Sequence, residues 1–117
     1  MSGDRAADAA RLRAQVATNP GDAVAWHNLA SAEHALGRVQ AARTHYEAAI
    51  GLLAKVRGRG HPDLALSQLN LAILHRDAGR VATARALLRR ALATFRTRLG
   101  AAHAHTRACA AELAALR

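Results

Sequence analysis

The sequence predicts an all-α protein of about six helices that pair antiparallel and stack as a short α-solenoid. Two observations carry this prediction. The 117 residues include 32 alanines but only three aromatic residues and two prolines, a composition that favours close-packed helices over pleated sheet. A shift of 42 residues also aligns Asn28-Leu29-Ala30 with Asn70-Leu71-Ala72 and Gly37-Arg38-Val39 with Gly79-Arg80-Val81. Repeats of such length are typical of stacked helix pairs, so the architecture follows from the repeat.

The first predicted helix lies in the N-terminal segment. Residues 5–18 have helix-forming composition, with Leu12 and Val16 one turn apart. Asn19-Pro20-Gly21 follows and is a strong helix breaker. We expect this segment to cap the array.

The first repeat is predicted to form two helices. One runs from about Ala23 to Leu36, where Asp22 is the expected N-cap because its carboxylate can accept a free backbone N–H. Gly37 is the expected left-handed residue that ends it. Its partner runs over residues 39–57 and ends at Gly58. The turn between them is so short that the two helices must be antiparallel.

The second repeat has the same signals. Pro62 suits the first position of a helix, where its missing N–H has no intrahelical partner, and Gly79 repeats the stop. A last helix over residues 104–116 follows without a partner. The predicted organisation is an N-terminal capping helix at residues 1–18, repeats at residues 19–60 and 61–102, and a C-terminal helix or partial third repeat at residues 103–117.

These repeats resemble the tetratricopeptide repeat family. The residues that match its spacing are Trp26, Leu29, Ala30, Gly37, Ala42, Tyr46 and Ala49, and in the second copy Leu71, Ala72, Gly79, Ala84 and Ala91. The second copy has Gln68 and Leu88 where the family has aromatic residues. The period of 42 and Gly60-His61-Pro62-Asp63 at the junction are similar to the longer repeats of kinesin light chains and their bacterial relatives. The resemblance covers residues 19–117 and implies a right-handed solenoid.

The resemblance also implies where a partner binds, because the first helix of each repeat lines the concave face in this family. We expect Asn28 and Asn70 to hold the backbone of an extended peptide, since an amide offers two donors and an acceptor. The alternative is that both asparagines brace the adjacent repeat. The predicted peptide-binding residues are His27, Asn28, Ser31, His34, Leu66, Leu69, Asn70, Ile73 and Arg76. Val24 shares the same predicted face.

The charge distribution bears on the partner. Residues 37–117 carry 14 basic residues against four acidic ones, which leaves an acidic segment open as the ligand. A two-carboxylate clamp of the kind found in some co-chaperones of this family is disfavoured, because Glu112 would repel a carboxylate. The alternative to protein binding is nucleic acid held by Arg85, Arg89 and Arg96, a stripe predicted on the convex face. The sequence disfavours it, because no exposed aromatic platform accompanies the arginines.

The sequence contains no pattern that predicts a catalytic site, a metal site or a membrane span. The eight acidic residues are scattered, no phosphate loop or nucleophile motif occurs, and we expect no cofactor and no metal. Cys109 lies among alanines, which favours a buried and unreactive thiol. No segment is apolar enough for a membrane span or a signal sequence. We therefore expect a non-catalytic, cytoplasmic protein.

The last helix is predicted to be an incomplete cap. His103, His105, Thr106, Arg107, Glu112 and Arg117 give it polar cover, whereas Ala108, Cys109, Ala111, Leu113, Ala114, Ala115 and Leu116 leave apolar surface. Such a surface leaves open a two-fold homodimer through this helix.

Overall fold

The computed structural model describes residues 2–116, with side chains from residue 4 onward. Within this range the chain forms six α-helices and no strand. The helices are α1 (Ser2–Thr18), α2 (Ala23–Ala35), α3 (Val39–Arg57), α4 (Pro62–Asp77), α5 (Val81–Leu99) and α6 (Ala104–Ala115). The predicted all-α helical repeat fold is confirmed, and each predicted helix end lies within a few residues of the observed one. None of these helices is long and apolar enough to cross a membrane.

Side-chain caps start three of the helices. Asp22 accepts a hydrogen bond from the backbone N–H of Ala25 at 3.1 Å, as predicted. His61 and His103, which are 42 residues apart, cap α4 and α6 by the same geometry. In each, the ring Nδ1 accepts a bond of 3.0 Å from the N–H two residues on. The second repeat and the C-terminal helix therefore begin with the same capping contact.

Glycines in the left-handed region end the helices. Gly37 and Gly79, at the equivalent positions of the two repeats, have φ of 77° and 81°. Both stop a first helix and allow the next to begin within two residues. A side chain at such a φ clashes with the following carbonyl, which is why glycine is needed there. The predicted helix stops are thus confirmed.

We expect Gly79→Ala to lower the free energy of unfolding by about 1 kcal/mol. Beyond the adjacent residues, no described heavy atom lies within 4 Å of a Cβ placed there, so the cost comes from the local backbone conformation. Gly51→Ala is the matched control, because Gly51 lies inside α3 and is equally uncrowded. There alanine should raise stability by up to about 1 kcal/mol. Urea denaturation of both variants measures the difference, and two changes of the same sign would contradict the assignment.

The chain divides into two compact units, Met1–Leu52 and Leu53–Arg117. The sequence-predicted repeat boundaries differ from this division and stay a prediction. In the first unit, Ala9, Leu12 and Val16 of α1 pack with Ala25 and Leu29 of α2. The spacing of the three α1 residues places them on one face, so the N-terminal helix covers the apolar side of α2.

Aromatic residues of the first unit occupy different depths. Tyr46 is buried, whereas Trp26 is only half-buried. The indole Nε1–H of Trp26 donates to the carbonyl of Pro20 at 2.8 Å. Trp26 therefore also fixes the turn between α1 and α2.

The second unit has its own core, formed by α4, α5 and α6. Its largest buried side chain is Phe95, which lies against the ring of His105 with 5.6 Å between the centroids. The other members are small or aliphatic: Ala65, Leu69, Ala72, Ala84, Leu88, Ala91, Leu92 and Cys109. Alanines at these positions let the helices approach closely.

The prediction for α6 requires a correction. Thr106 was expected to give polar cover, but the structure buries it. Cys109 was expected both to be a buried thiol and to add to the apolar surface of this helix, and the structure confirms only the burial. Thr106 and Cys109 are therefore both buried. They lie three residues apart on the face that packs against α5, together with Leu113. The surface that α6 leaves open consists of Ala108, Ala111, Ala114 and Ala115. Arg117 lies outside the described residues.

Candidate binding surfaces

A groove between α1 and α2 contains part of the predicted peptide-binding face. It has a volume of about 460 Å³, and we call it the α1–α2 groove. Val24, Asn28 and Ser31 form the α2 wall, and all three are exposed. The full lining is Arg5, Asp8, Arg11, Leu12, Gln15, Asp22, Val24, Ala25, Asn28, Ser31, Ala32 and Ala35.

Asn28 is available to a ligand in this groove. Its side-chain amide is exposed and forms no hydrogen bond with the described residues. By contrast, Gln15 on the opposite wall is engaged, because its Nε2 donates to Asp22 Oδ2 at 2.9 Å. Two donors and an acceptor of Asn28 are thus presented beside apolar surface, a combination that suits an extended backbone.

Helix α1 contributes to the groove, which the sequence did not predict. Arg5, Asp8, Arg11 and Gln15 line the groove, whereas α1 had been assigned only a capping role. Asp8 and Arg11 lie 3.7 Å apart in an exposed pair. The signal was present, since these residues recur at three- and four-residue steps and so share one helical face.

His27 and His34 do not line the groove, although the sequence placed them with Asn28. At about 100° per residue, Val24, Asn28 and Ser31 lie within about 60° of one another on α2, and the two histidines are rotated beyond that sector. His27 is half-buried, and its ring lies against Tyr46 with 5.5 Å between the centroids. His34 is also half-buried. The predicted face of α2 is therefore split in two.

The second-repeat residues differ in exposure. Leu69 belongs to the core and is only 5% exposed, so its assignment to the binding surface is wrong. Its side chain packs into the core that α4 shares with α5 and α6. Leu66 packs partly against the same core. Asn70 and Ile73 are half-buried and retain accessible atoms.

Arg76 is already paired inside the second unit. It donates through Nε and one terminal nitrogen to Asp77 Oδ1, at 3.1 and 3.0 Å, and through the other to Glu112. The hydrogen bonds to Asp77 and Glu112 raise the pKa of the guanidinium above its usual value. Two carboxylates thus offset the one positive charge. Arg76 is therefore not a free receptor for an acidic ligand.

Arg85, Arg89 and Arg96 lie along one side of a second groove, the α5–α6 groove, with a volume of about 500 Å³. Leu92 lies among them on α5, and the α6 wall consists of Ala110, Leu113 and Ala114. The sequence correctly placed the three arginines on one stripe. It did not anticipate that the stripe borders an apolar surface contributed by another helix.

A buried charge in the first unit also escaped the sequence analysis. Glu33 is 2% exposed, and its carboxylate accepts a hydrogen bond from Nδ1 of His45 and lies 3.9 Å from Arg13. The ring of Trp26 lies 5.2 Å from that of His45. These residues border a cavity of about 580 Å³. Glu33 had been counted among scattered acids because its partners come from other helices.

Histidines, carboxylates and one cysteine are the potential metal ligands and nucleophile of the described residues. No cluster of three His, Cys, Asp or Glu side chains there could hold a metal ion. Burial raises the pKa of the Cys109 thiol to about 11, and its Sγ donates to the carbonyl of Leu88 at 3.3 Å. The predicted buried thiol is confirmed, and at neutral pH it carries almost no nucleophilic thiolate.

Known proteins provide an independent comparison. The tetratricopeptide repeat family model matches residues 21–97. A Podosopora anserina putative kinesin light chain with nearly identical TPR-like repeats is 28% identical, with a TM-score of 0.84. That match covers 97% of this chain and 58% of the other. BtubC (BKLC) from P. vanneervenii is 23% identical, with a TM-score of 0.76, and the match covers 80% of this chain and 37% of the other.

A third similar structure is the type III secretion translocator chaperone SycD of Yersinia enterocolitica. It is 17% identical, with a TM-score of 0.81, and the match covers 98% of this chain and 73% of SycD. At such identity the likeness shows the fold alone. No curated protein is significantly similar in sequence.

The family match extends over most of the chain and over most of both predicted repeats. Repeats of this kind are generally protein–protein interaction modules and are typically non-catalytic. The helix order, the glycine stops and the repeated caps agree with the match. This chain belongs to the tetratricopeptide repeat family.

Proposed function

We propose that the chain is a non-catalytic, cytoplasmic interaction module that holds an extended segment of another protein, with Asn28 and Asn70 binding its backbone. The observation that carries this proposal is the exposed, unbonded amide of Asn28 on the α1–α2 groove. A structural asparagine that braced a neighbouring helix would be engaged. Among the described residues, the Asn28 amide has no such partner.

Backbone recognition follows from the chemistry of the amide. Every peptide unit of an extended ligand except proline offers one N–H and one C=O. The Asn28 carbonyl can accept from the former and its NH₂ can donate to the latter. Such contacts do not depend on ligand side chains, so the module tolerates varied sequences.

The second unit supplies the repeat-equivalent asparagine. Asn70 lies 42 residues after Asn28 and is half-buried, and its amide has no hydrogen-bond partner in the described residues. Ile73, also half-buried, offers apolar contact one turn along α4. Because each repeat contributes few contacts, we expect a dissociation constant of about 1 µM or weaker.

A peptide array tests this function. The double variant Asn28→Ala, Asn70→Ala should lose most binding across unrelated peptides, because each asparagine contributes through the backbone. Gln40→Ala is the control, since it removes an exposed amide from α3. Array binding by the double variant that equals wild type would refute the proposal.

A further inference from the structure

The α5–α6 groove combines a row of cations with an apolar floor. Arg85, Arg89, Leu92 and Arg96 are spaced at four, three and four residues, so they lie within about 60° on one face of α5. From the first to the last they extend about 16 Å along the helix axis. That length corresponds to about three turns of an α-helix laid alongside.

The opposite wall suits close approach of a helix. Ala110 and Ala114 are small, and Leu113 packs partly against the core while bordering the groove. Small residues at such a wall allow helix axes to come within about 8–10 Å. An apolar groove between two helices is a common receptor for the apolar face of a third, amphipathic helix.

The charge is specific to this repeat. A shift of 42 residues aligns Arg85, Arg89 and Arg96 with Arg43, Glu47 and Ala54. The face in the first repeat is therefore neutral, and Arg43 lies 3.8 Å from Glu47. In the second repeat the three cations form no salt bridge within the described residues, and Arg85 donates to the Leu116 carbonyl at 2.5 Å.

We propose that the α5–α6 groove binds an acidic amphipathic helix of a partner protein. Its apolar stripe would lie on Leu113 and on Ala110 and Ala114 of the α6 wall. Carboxylates at four- and seven-residue steps would meet the arginines of α5. This surface consists of other residues than the α1–α2 groove, so the inference goes beyond the proposed function.

A second copy of this chain is a poor occupant. A two-fold pair would bring the arginine row of one chain toward the same row of the other. No helix within residues 2–116 carries more than two carboxylates. The two with two carboxylates, α1 and α4, also carry arginines. Occupation of this groove by a second copy is therefore opposed by charge.

Nucleic acid matches the charge of the arginines but not the apolar part of the groove. Phosphates would satisfy the cations, yet Leu113, Ala110 and Ala114 would then face the ligand without an apolar contact. Proteins that hold single strands also stack bases on exposed aromatic side chains. In the described part of the chain, Tyr46 and Phe95 are buried and Trp26 lies in the other unit.

Fluorescence anisotropy with a labelled helical peptide of about 15 residues tests the proposal. The peptide carries a leucine stripe flanked by glutamates; a second version has lysine in place of every glutamate. We expect the acidic peptide to bind and the basic one not to bind. Arg89→Glu with Arg96→Glu should weaken binding about tenfold or more, and added salt should weaken it in the wild type.

The matched control is Arg90→Glu with Arg107→Glu. These exposed residues lie on the same helices outside the groove, and their reversal changes the net charge equally. Ala114→Glu, which inserts a carboxylate into the groove, should abolish binding, whereas Ala111→Glu should not. Circular dichroism verifies the fold of each variant. Asn28→Ala with Asn70→Ala should leave this binding intact, so the two proposals fail separately.

Four results would overturn the inference. They are no binding of the acidic peptide, equal weakening by both arginine pairs, a dimer that Arg89→Glu dissociates, or an oligonucleotide that binds through Arg89 and Arg96 while the peptide does not.

Discussion

Phe95→Ala is expected to lower the free energy of unfolding by about 3–5 kcal/mol. Phe95 is fully buried and is the largest side chain in the core of the second unit. Its removal forfeits the transfer free energy of the ring and leaves a cavity among neighbours that cannot collapse fully. The free energy of unfolding of a natural domain is only about 5–15 kcal/mol, so the variant should lose a large part of its stability. Urea denaturation monitored by circular dichroism measures the change.

Val56→Ala is the control for Phe95→Ala. Val56 is 71% exposed, so its truncation should change stability by no more than about 0.5 kcal/mol. A loss below about 1.5 kcal/mol for Phe95→Ala would contradict the description of the core, because it would place the ring at a deformable site.

His45→Leu is the second variant with a large expected effect, a loss of about 3–5 kcal/mol. It removes the Nδ1 donor that faces the Glu33 carboxylate, and Glu33 is only 2% exposed. Arg13 alone would remain, 3.9 Å away and 53% exposed. Leucine is a fair replacement in volume, and Leu87 occupies the equivalent position in the second repeat. The cost therefore reports the stranded charge rather than a cavity.

A double-mutant cycle isolates that effect. With Glu33→Leu already present, His45→Leu strands no charge, and the double variant should lie within about 1 kcal/mol of wild type. Thermal unfolding of the four proteins gives the interaction energy. Additive losses would mean that the two side chains contribute independently and that the buried pair is not coupled.

Much of the fold could be predicted because its signals are local. Asp22, Pro62, Gly37 and Gly79 act on the backbone within a few residues, so their roles are visible in the sequence itself. The 42-residue period then repeats the glycine stop, at Gly37 and Gly79. Helix ends were accordingly predicted to within a few residues.

The binding surfaces could be predicted only in part, because exposure depends on neighbouring helices. Asn28 and the arginine row were found from helical spacing. The burial of Leu69 and the pairing of Arg76 with Glu112 depend on how α4 meets α6. Glu33 needed contacts from both α1 and α3 before its role could be recognised. No pattern within a single helix carries that information.

Backbone N-methylation of a bound peptide tests the central claim most directly. A peptide that binds on the array is synthesised again with one amide N-methylated at a time, which removes an N–H and leaves every side chain unchanged. Because the Asn28 and Asn70 carbonyls would accept from ligand N–H groups, methylation at two separate positions should weaken binding about tenfold. The Asn28→Ala protein should become insensitive at one position and the Asn70→Ala protein at the other. If every methylated peptide binds like its parent, the ligand backbone is not recognised and the account is wrong.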